Sequence, residues 1–247
     1  MSFSKRSSFA AAVMALSLVT TPARAQMLIG YLLGEKLASP TFNMGFEIGV
    51  NFSTLDGLDG AERLNRTVFG LFGDWRFSKH VHLTGAFLPA AGRGAQGLTP
   101  IPTGDPAIDD QTAGGTMKRS LNYIEFPLLL KWAPKRNEGF RIGAGPSFGL
   151  ITGAKDRYDA TTSTGTVYVL ERDIGNEIPG FDFGLSVDVE WRFQMLSIAG
   201  RFTQGLTDLR QTGADAAVHS RVLTGTGRIY LGKKKAAAKP DSAKAAS

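Results

Sequence analysis

Large apolar residues alternate with small or polar residues in repeated stretches along most of the chain after residue 25. The stretch 181–193 is the clearest example, because Phe, Leu, Val or Trp occupies every odd position and Asp, Gly, Ser, Glu or Arg every even one. This period of two is typical of a strand whose two faces meet different environments. One face is continuous hydrocarbon and the other is polar or charged.

The same alternation predicts eight strands. We place them at residues 41–53, 66–78, 80–88, 121–133, 139–152, 179–193, 195–208 and 218–232. The connections after the second, fourth and sixth strands are very short, whereas the others are longer and rich in Gly, Pro, Asp and Thr. The longest connection is predicted at 89–120. Short turns at one end and long loops at the other are the layout of outer-membrane barrels, with the short turns in the periplasm.

This layout predicts an aromatic girdle on the outer face at the short-turn end. The sequence supplies five aromatic residues there, including all three tryptophans: Trp75, Phe77, Trp132, Trp191 and Phe193. We therefore predict an all-β fold, a closed antiparallel transmembrane β-barrel of about eight strands with up-and-down topology over residues 41–232. Two alternatives are a soluble sandwich and a lipocalin-type carrier, and the latter turns its apolar faces inward.

The two ends of the chain differ from the barrel region. Residues 1–25 have a basic start, an apolar run of about eleven residues and a small-residue cleavage site, which predicts a secretory signal peptide removed after Ala25. Residues 26–40 are a lead-in, with a short helix preferred over an irregular segment at 27–37. The tail 233–247 is rich in Lys and Ala and is predicted to be disordered in the periplasm.

Charge and cysteine content exclude some classes of protein. The net charge is +6 and the pI is about 9.6, but eight basic residues lie in segments 1–25 and 233–247. The predicted barrel is close to neutral, which argues against nucleic acid as a partner. The absence of cysteine excludes disulfides and a lipid anchor on cysteine.

If the apolar faces meet lipid, the polar faces enclose the barrel lumen. Eight strands leave room only for side chains, and buried charges have to be paired. We therefore predict a structural ion-pair network that fills the lumen, with a conducting path as the alternative. Its members are Glu47, Asp74, Arg76, Glu125, Lys131, Arg141, Asp188, Glu190, Arg192, Arg201 and Arg228.

Few residues are candidates for chemistry. His80 and His82 are predicted near the short-turn end and His219 at the opposite rim, so they do not converge, and we expect no catalytic residues, no metal site and no cofactor. Loop carboxylates such as Asp56 and Asp109 are interpreted as solvated rather than as cation sites. Seven basic residues are predicted near the outer rim, where lipid phosphates lie: Arg63, Arg66, Arg93, Lys118, Arg119, Lys155 and Arg157.

The segment 123–132, Tyr-Ile-Glu-Phe-Pro-Leu-Leu-Leu-Lys-Trp, resembles a strand common in the PorT-like outer-membrane β-barrel family. Residues 34–37 leading into 46–53, and Gly-Ala-Gly-Pro at 143–146, are similar to other parts of these proteins. The resemblance implies an eight-stranded barrel in the outer membrane of a Gram-negative cell, usually without an assigned activity. This chain departs from the family by continuing about fifteen residues past Leu231.

We therefore expect a non-enzymatic, integral outer-membrane barrel with a structural or interaction role. A narrow channel or transporter is the main functional alternative, and a membrane-embedded hydrolase is a further one. The expected partners are outer-membrane lipids, the barrel-assembly machinery and a protein that contacts the long loops.

Overall fold

A computed structural model describes residues 41–112, 114–135, 138–161, 167–211 and 216–231. The predicted signal peptide, the lead-in with its short helix and the tail lie outside the described residues. Ten strands and one short helix are present in the described ranges. They are β1 (Phe42–Asp56), β2 (Glu62–Arg76), β3 (Val81–Ala91), β4 (Arg93–Leu98), α1 (Pro106–Thr112), β5 (Thr116–Trp132), β6 (Gly139–Thr161), β7 (Val167–Asp173), β8 (Phe181–Phe193), β9 (Leu196–Gly205) and β10 (His219–Leu231). No described helix is long and apolar enough to cross a membrane.

The strands close into an antiparallel ring with eight members, which we call staves; β3 and β4 together form one stave, and β7 is not part of the ring. The order is β1, β2, β3 with β4, β5, β6, β8, β9 and β10, and β10 pairs with β1 to complete the ring. The predicted closed up-and-down fold is confirmed. Following partner residues once around from Gly45 leads back to β1 at Leu55, ten residues further along. In eight strands a stagger of this size accompanies a strand tilt of about 40°.

The predicted long loop over 89–120 is wrong at both ends. The third stave continues through Pro89 to Ala91 and resumes as β4, and β5 begins at Thr116. The pairing of β3 with β2 shifts register between Phe69 and Leu71, opposite Pro89, which marks a β-bulge. Proline lacks the N–H needed for a regular ladder but is tolerated at such a bulge, so the break in alternation is not the end of the stave.

Two further predictions about the long-connection end are also wrong. The fifth predicted strand ends at 152, whereas β6 runs to Thr161 and pairs with the unpredicted strand β7. The link between β1 and β2 covers only residues 57–61, so it is no longer than the one between β5 and β6. Connection length therefore does not alternate strictly around the ring.

The apolar faces of the strands point outward. Val187 and Trp191 are 49% and 48% exposed, while Asp188 and Arg192, the residues that follow them, are 0% and 7% exposed. A lipocalin-type arrangement would have the reverse pattern. On β6 the exposed apolar row runs from Phe140 to Leu150, and at about 3.4 Å per residue with a tilt of about 40° it spans roughly 25 Å along the barrel axis.

Candidate functional site

The barrel interior holds a large set of buried charged side chains. Seven buried acidic and seven buried basic side chains lie there, so the described interior is electrically balanced. The acids are Glu47, Asp74, Glu125, Asp156, Asp182, Asp188 and Glu190, and the bases are Arg93, Arg119, Lys131, Arg141, Arg192, Arg201 and Arg228. Each of them takes part in at least one ion pair.

The main cluster, which we define as Glu47, Lys131, Asp188, Glu190, Arg201 and Arg228, crosses the middle of the barrel. Arg228 directs Nε to Glu47 at 2.7 Å, Nη2 to Asp188 at 2.9 Å and Nη1 to Glu190 at 2.9 Å. Lys131 contacts Asp188 at 2.5 Å and Glu190 at 2.7 Å, and Arg201 pairs with Glu47. Every carboxylate of the cluster therefore has two cationic partners.

A second group lies nearer the short-turn end, around Asp74. Arg141 contacts Asp74 at 3.1 Å, Arg192 approaches it to 3.9 Å, and His82 Nδ1 lies 3.4 Å away. The Arg192 guanidinium also stacks over the Tyr230 ring at 3.5 Å. Arg76, which was predicted to join the lumen network, is the last residue of β2 and is only partly buried.

A third group lies on the other side of the main cluster, toward the long-connection end. Arg93 binds Glu125 at 2.8 Å and Asp182 at 3.1 Å, and its guanidinium lies 4.5 Å from the centre of the Tyr123 ring. Ser220 and Tyr123 also donate to Asp182, at 2.7 and 3.2 Å. Arg119 forms a separate two-point contact with Asp156.

The prediction that Arg93 and Arg119 lie at the rim beside lipid is wrong, because both are 2% exposed and face inward. Their strand positions were not recognised, so their facing could not be assigned. Sequence reasoning also omitted Asp156 and Asp182 from the network. Asp182 carried a usable signal, since it begins the alternating polar row that contains Asp188 and Glu190.

Glycines on the inner face make room for the large charged and aromatic side chains. A Cβ added to Gly143 would lie 2.5 Å from Cγ of Lys131, and one added to Gly149 would lie 2.7 Å from the Tyr123 ring. Both glycines sit on β6, Gly143 directly opposite Lys131 and Gly149 two residues away from the partner of Tyr123. The large side chain on β5 therefore fills the space that the glycine on β6 leaves empty.

The half of the interior toward the long-connection end is mainly apolar around the Arg119–Asp156 pair, which the prediction of a polar lumen did not include. Side chains from six strands and from the connections form one buried cluster there. Its largest members are Leu55, Leu88, Leu98, Met117, Leu121, Tyr123 and Tyr158, all about 1% exposed. The interior is thus layered, with ion pairs toward one end and hydrocarbon toward the other.

The five aromatic residues predicted for the girdle lie at the short-turn end and point outward. Trp75, Trp132 and Trp191 are 45%, 51% and 48% exposed, and Phe77 and Phe193 are 68% and 54% exposed. Trp75 stacks on Phe42 with ring centres 4.5 Å apart. These rings form the lower border of the exposed apolar belt.

The polar groups give little basis for catalysis or metal binding. His82 and Asp74 make a His–carboxylate contact, but the two residues are 1% and 0% exposed, so a substrate has no access to them. His80 lies at the same end and bonds to the Ala133 carbonyl, whereas His219 lies at the opposite end. Among the described residues, no three His, Cys, Asp or Glu side chains are grouped to hold a metal ion.

The loop carboxylates brace the connections. Asp109 accepts hydrogen bonds from the backbone N–H and the hydroxyl of Thr103 and from the N–H of Gly104, and these bonds hold its pKa below the ordinary value. Asp105 accepts from the N–H of Ala107 at the start of α1. Asp56 pairs with Arg221 at 2.6 Å on the outer surface.

Comparison with known proteins agrees with this architecture. The family model described as "Outer membrane protein beta-barrel domain" matches residues 37–211, which is more than half of the chain and covers β1 to β9. No curated protein matches the chain.

Several solved structures of outer-membrane proteins are similar. The attachment invasion locus protein Ail of Yersinia pestis is 13% identical, with 77% of this chain and 99% of that chain covered and a TM-score of 0.40. Neisserial surface protein A is 7% identical, with 75% and 96% covered and a TM-score of 0.38. AlkL is 14% identical, with 82% and 96% covered and a TM-score of 0.36. These TM-scores are low, so the assignment rests on the family match and on the closed ring of strands. The chain belongs to the outer membrane protein beta-barrel domain family and lies in the outer membrane.

Proposed function

We propose that this chain is a non-enzymatic structural or interaction protein of the outer membrane whose barrel does not conduct. The observation that carries the proposal is the filled interior. Ion pairs fill the half of the barrel toward the short turns, and a hydrocarbon core with the Arg119–Asp156 pair fills most of the other half. The narrower resemblance to the PorT-like family stays a prediction.

The ion pairs join strands that lie opposite each other in the ring. Lys131 on β5 and Arg228 on β10 both contact Glu190, so this carboxylate bridges two opposite walls. Arg192 on β8 likewise faces Asp74 on β2. These contacts across a full diameter support the proposal that the barrel does not conduct.

The apolar half adds a second barrier. A hydrated ion that passed the Arg93 group would next meet Leu88, Leu121 and Met117, each 1% exposed. Moving an ion into such surroundings without a partner costs several kcal/mol at least. We therefore rank conduction and transport through the barrel below a structural or interaction role.

Planar-bilayer recording tests this part of the proposal. Purified protein is inserted into a bilayer, with a large porin in the same membrane as the positive control. The expected result is a flat current after insertion. Protease protection of the protein verifies that it has inserted. Repeated openings with one unit conductance would replace the proposal with the channel alternative.

The surface best suited to a partner projects from the long-connection end, which we place outside the cell. On β6 the apolar row ends at Leu150, but the strand continues to Thr161 and pairs with β5 and β7 beyond the belt. This continuation adds about 37 Å of strand at about 3.4 Å per residue. We define the projecting sheet as residues 116–122, 152–161 and 167–173.

Photo-crosslinking in living cells tests the interaction role. A photoreactive residue replaces Glu171 on the projecting sheet or, as the control, Leu185 on the belt; the two are an exposed polar and an exposed apolar side chain. A discrete protein adduct from position 171 alone is expected. If positions 118, 169 and 171 all give no adduct while the barrel is folded, an interaction role through this sheet is refuted.

The hydrolase alternative is addressed by a panel of lipid and ester substrates. We expect no turnover above that of a boiled sample. Turnover abolished by a single polar substitution would overturn the non-enzymatic proposal.

Outer-membrane lipids are the partners that we propose for the exposed apolar belt. The barrel-assembly machinery is the partner that we propose for insertion into the membrane.

A further inference from the structure

A cavity of about 270 Å³ opens at the long-connection end, next to the apolar half of the interior. Its walls come from the β1–β2 connection, the segment 98–102, the start of β5 and residues on both sides of the connection between β9 and β10. The side chains that define it are Leu58, Leu98, Ile101, Met117, Arg119 and Val218. Leu98, Met117 and Val218 also belong to the buried apolar cluster, so the cavity reaches the hydrocarbon core.

Hydrogen bonds and close contacts fix the walls to one another. The Thr99 N–H donates to the Asp59 carbonyl at 3.0 Å, and the Tyr158 hydroxyl donates to the Ile101 carbonyl at 3.0 Å. Gly57 has a φ of +100°, and a Cβ there would lie only 2.1 Å from the Ala217 carbonyl oxygen. The cavity is therefore held open by its own frame, which lowers the ordering cost of binding.

The Arg119 guanidinium in the cavity wall is already engaged. Arg119 donates from Nε and Nη2 to the Asp156 carboxylate at 2.7 and 2.6 Å, and from Nη2 to Gln211 at 3.1 Å. An anion in the cavity would have to compete with Asp156 for this guanidinium. The remaining wall atoms are mainly carbon, so the cavity favours an uncharged ligand.

We propose that this cavity binds a small, uncharged, apolar molecule of about two fused rings. An apolar cavity of about 150 Å³ holds benzene, and the larger volume here suits a ligand somewhat bigger than one ring. Ligand pockets are typically lined by hydrocarbon with a few polar groups, as this one is. The inference goes beyond the proposed function, since neither a structural role nor partner binding through the projecting sheet requires it.

Methionine methyl resonances provide the test. The protein is labelled with ¹³C-methyl methionine, folded in detergent and titrated with naphthalene. Met117 lines the cavity and is 1% exposed, whereas Met44 and Met195 lie near the short-turn end. We expect the Met117 signal to shift and saturate, while Met44 and Met195 drift without saturation as naphthalene enters the detergent.

Two controls define the site and the ligand class. Ala216→Phe places a ring in the cavity mouth, where Ala216 is exposed, and we expect it to weaken binding at least about tenfold. Ala90→Phe makes the same change at an exposed position on β3 and should leave binding unchanged. Naphthalene-2-sulfonate, which carries the same rings with a negative charge, should bind more weakly than naphthalene.

Three outcomes would overturn the proposal. One is a Met117 shift that rises without saturation, as for Met44, and another is saturable binding that Ala216→Phe leaves intact. The third is tighter binding of the sulfonate than of naphthalene, which would assign the cavity to anions. None of them bears on bilayer conductance or on crosslinking, so the proposed function is tested separately.

Discussion

Arg228 makes the largest number of ion pairs in the main cluster, and its removal gives the most direct test of the interior. Its side chain is 1% exposed and binds three carboxylates at 2.7 to 2.9 Å. In Arg228→Met, Glu47 keeps Arg201, and Asp188 and Glu190 keep Lys131. The cluster then carries one excess negative charge in a buried place.

Breaking a buried ion pair by removing one partner costs about 3–5 kcal/mol. We expect Arg228→Met to lower the free energy of unfolding by about this amount, since each carboxylate retains one cation. The free energy of unfolding of Arg228→Lys should lie between those of Arg228→Met and the native protein, because a lysine point charge cannot reproduce three N–H groups aimed at three acceptors. Adding Glu47→Gln to Arg228→Met should recover part of the loss by restoring the charge balance.

The measurement is urea unfolding from lipid vesicles, followed by tryptophan emission. All three tryptophans lie on the exposed belt, so their emission reports loss of the membrane environment. Arg221→Met is the matched control: it lies on the same strand, and its pair with Asp56 is 52% and 34% exposed. Exposed pairs contribute about 0–1 kcal/mol. Equal effects of the two substitutions would refute the claim that the buried ion pairs contribute more to stability than the exposed pair.

Three further outcomes are expected. Leu185→Arg, at a belt position 53% exposed, should lower the free energy of unfolding in vesicles by about 2–4 kcal/mol. Val169→Arg, at a position 47% exposed on β7, should change the free energy of unfolding little. Equal effects of the two substitutions would place the belt outside the membrane. Gly94→Ala should lower the urea midpoint, because φ is +146° and the new Cβ would lie 2.0 Å from the Arg119 carbonyl oxygen, while Gly200→Ala has no atom within 4 Å and should have no effect. The pKa of Asp109 lies below its ordinary 3.8. The hydrogen bonds from Thr103 to the Asp109 carboxylate should therefore stabilise the connection above that pH, and they should be lost as the pH falls through the lowered pKa. The acid titration of the Thr103 amide NMR shift should disappear in Asp109→Asn; the same titration in that variant would contradict this assignment.

The facing of the strands could be predicted from the sequence because the period of two fixes which side chains share a face. Val187 and Asp188 illustrate this, since one is 49% exposed and its neighbour is fully buried. The choice of lipid, rather than a protein interior, as the neighbour of the apolar faces followed from the layout of turns and loops and from the aromatic girdle. Closure into a ring followed from the same layout, which is that of outer-membrane barrels.

The third stave and the actual partners of the charges could not be predicted. Pro89, Gly92 and Gly94 interrupt the alternation, so β4 resembled a loop and Arg93 was assigned to the wrong environment. Both sides of the outer part of β5 carry polar residues, such as Lys118 and Arg119, so alternation did not reveal that this strand continues. Pairing across the interior depends on stagger and on strands that are not neighbours, as between Arg192 and Asp74, and local sequence does not encode it.

The inward glycines of β6 link the evolution of neighbouring strands. Gly143 leaves space for Lys131, and Gly149 leaves space for Tyr123. A larger residue at either glycine is tolerated only if its partner becomes smaller in the same lineage. Positions 131 and 143, and likewise 123 and 149, should therefore vary as compensating pairs among relatives, while the outward residues between them drift independently.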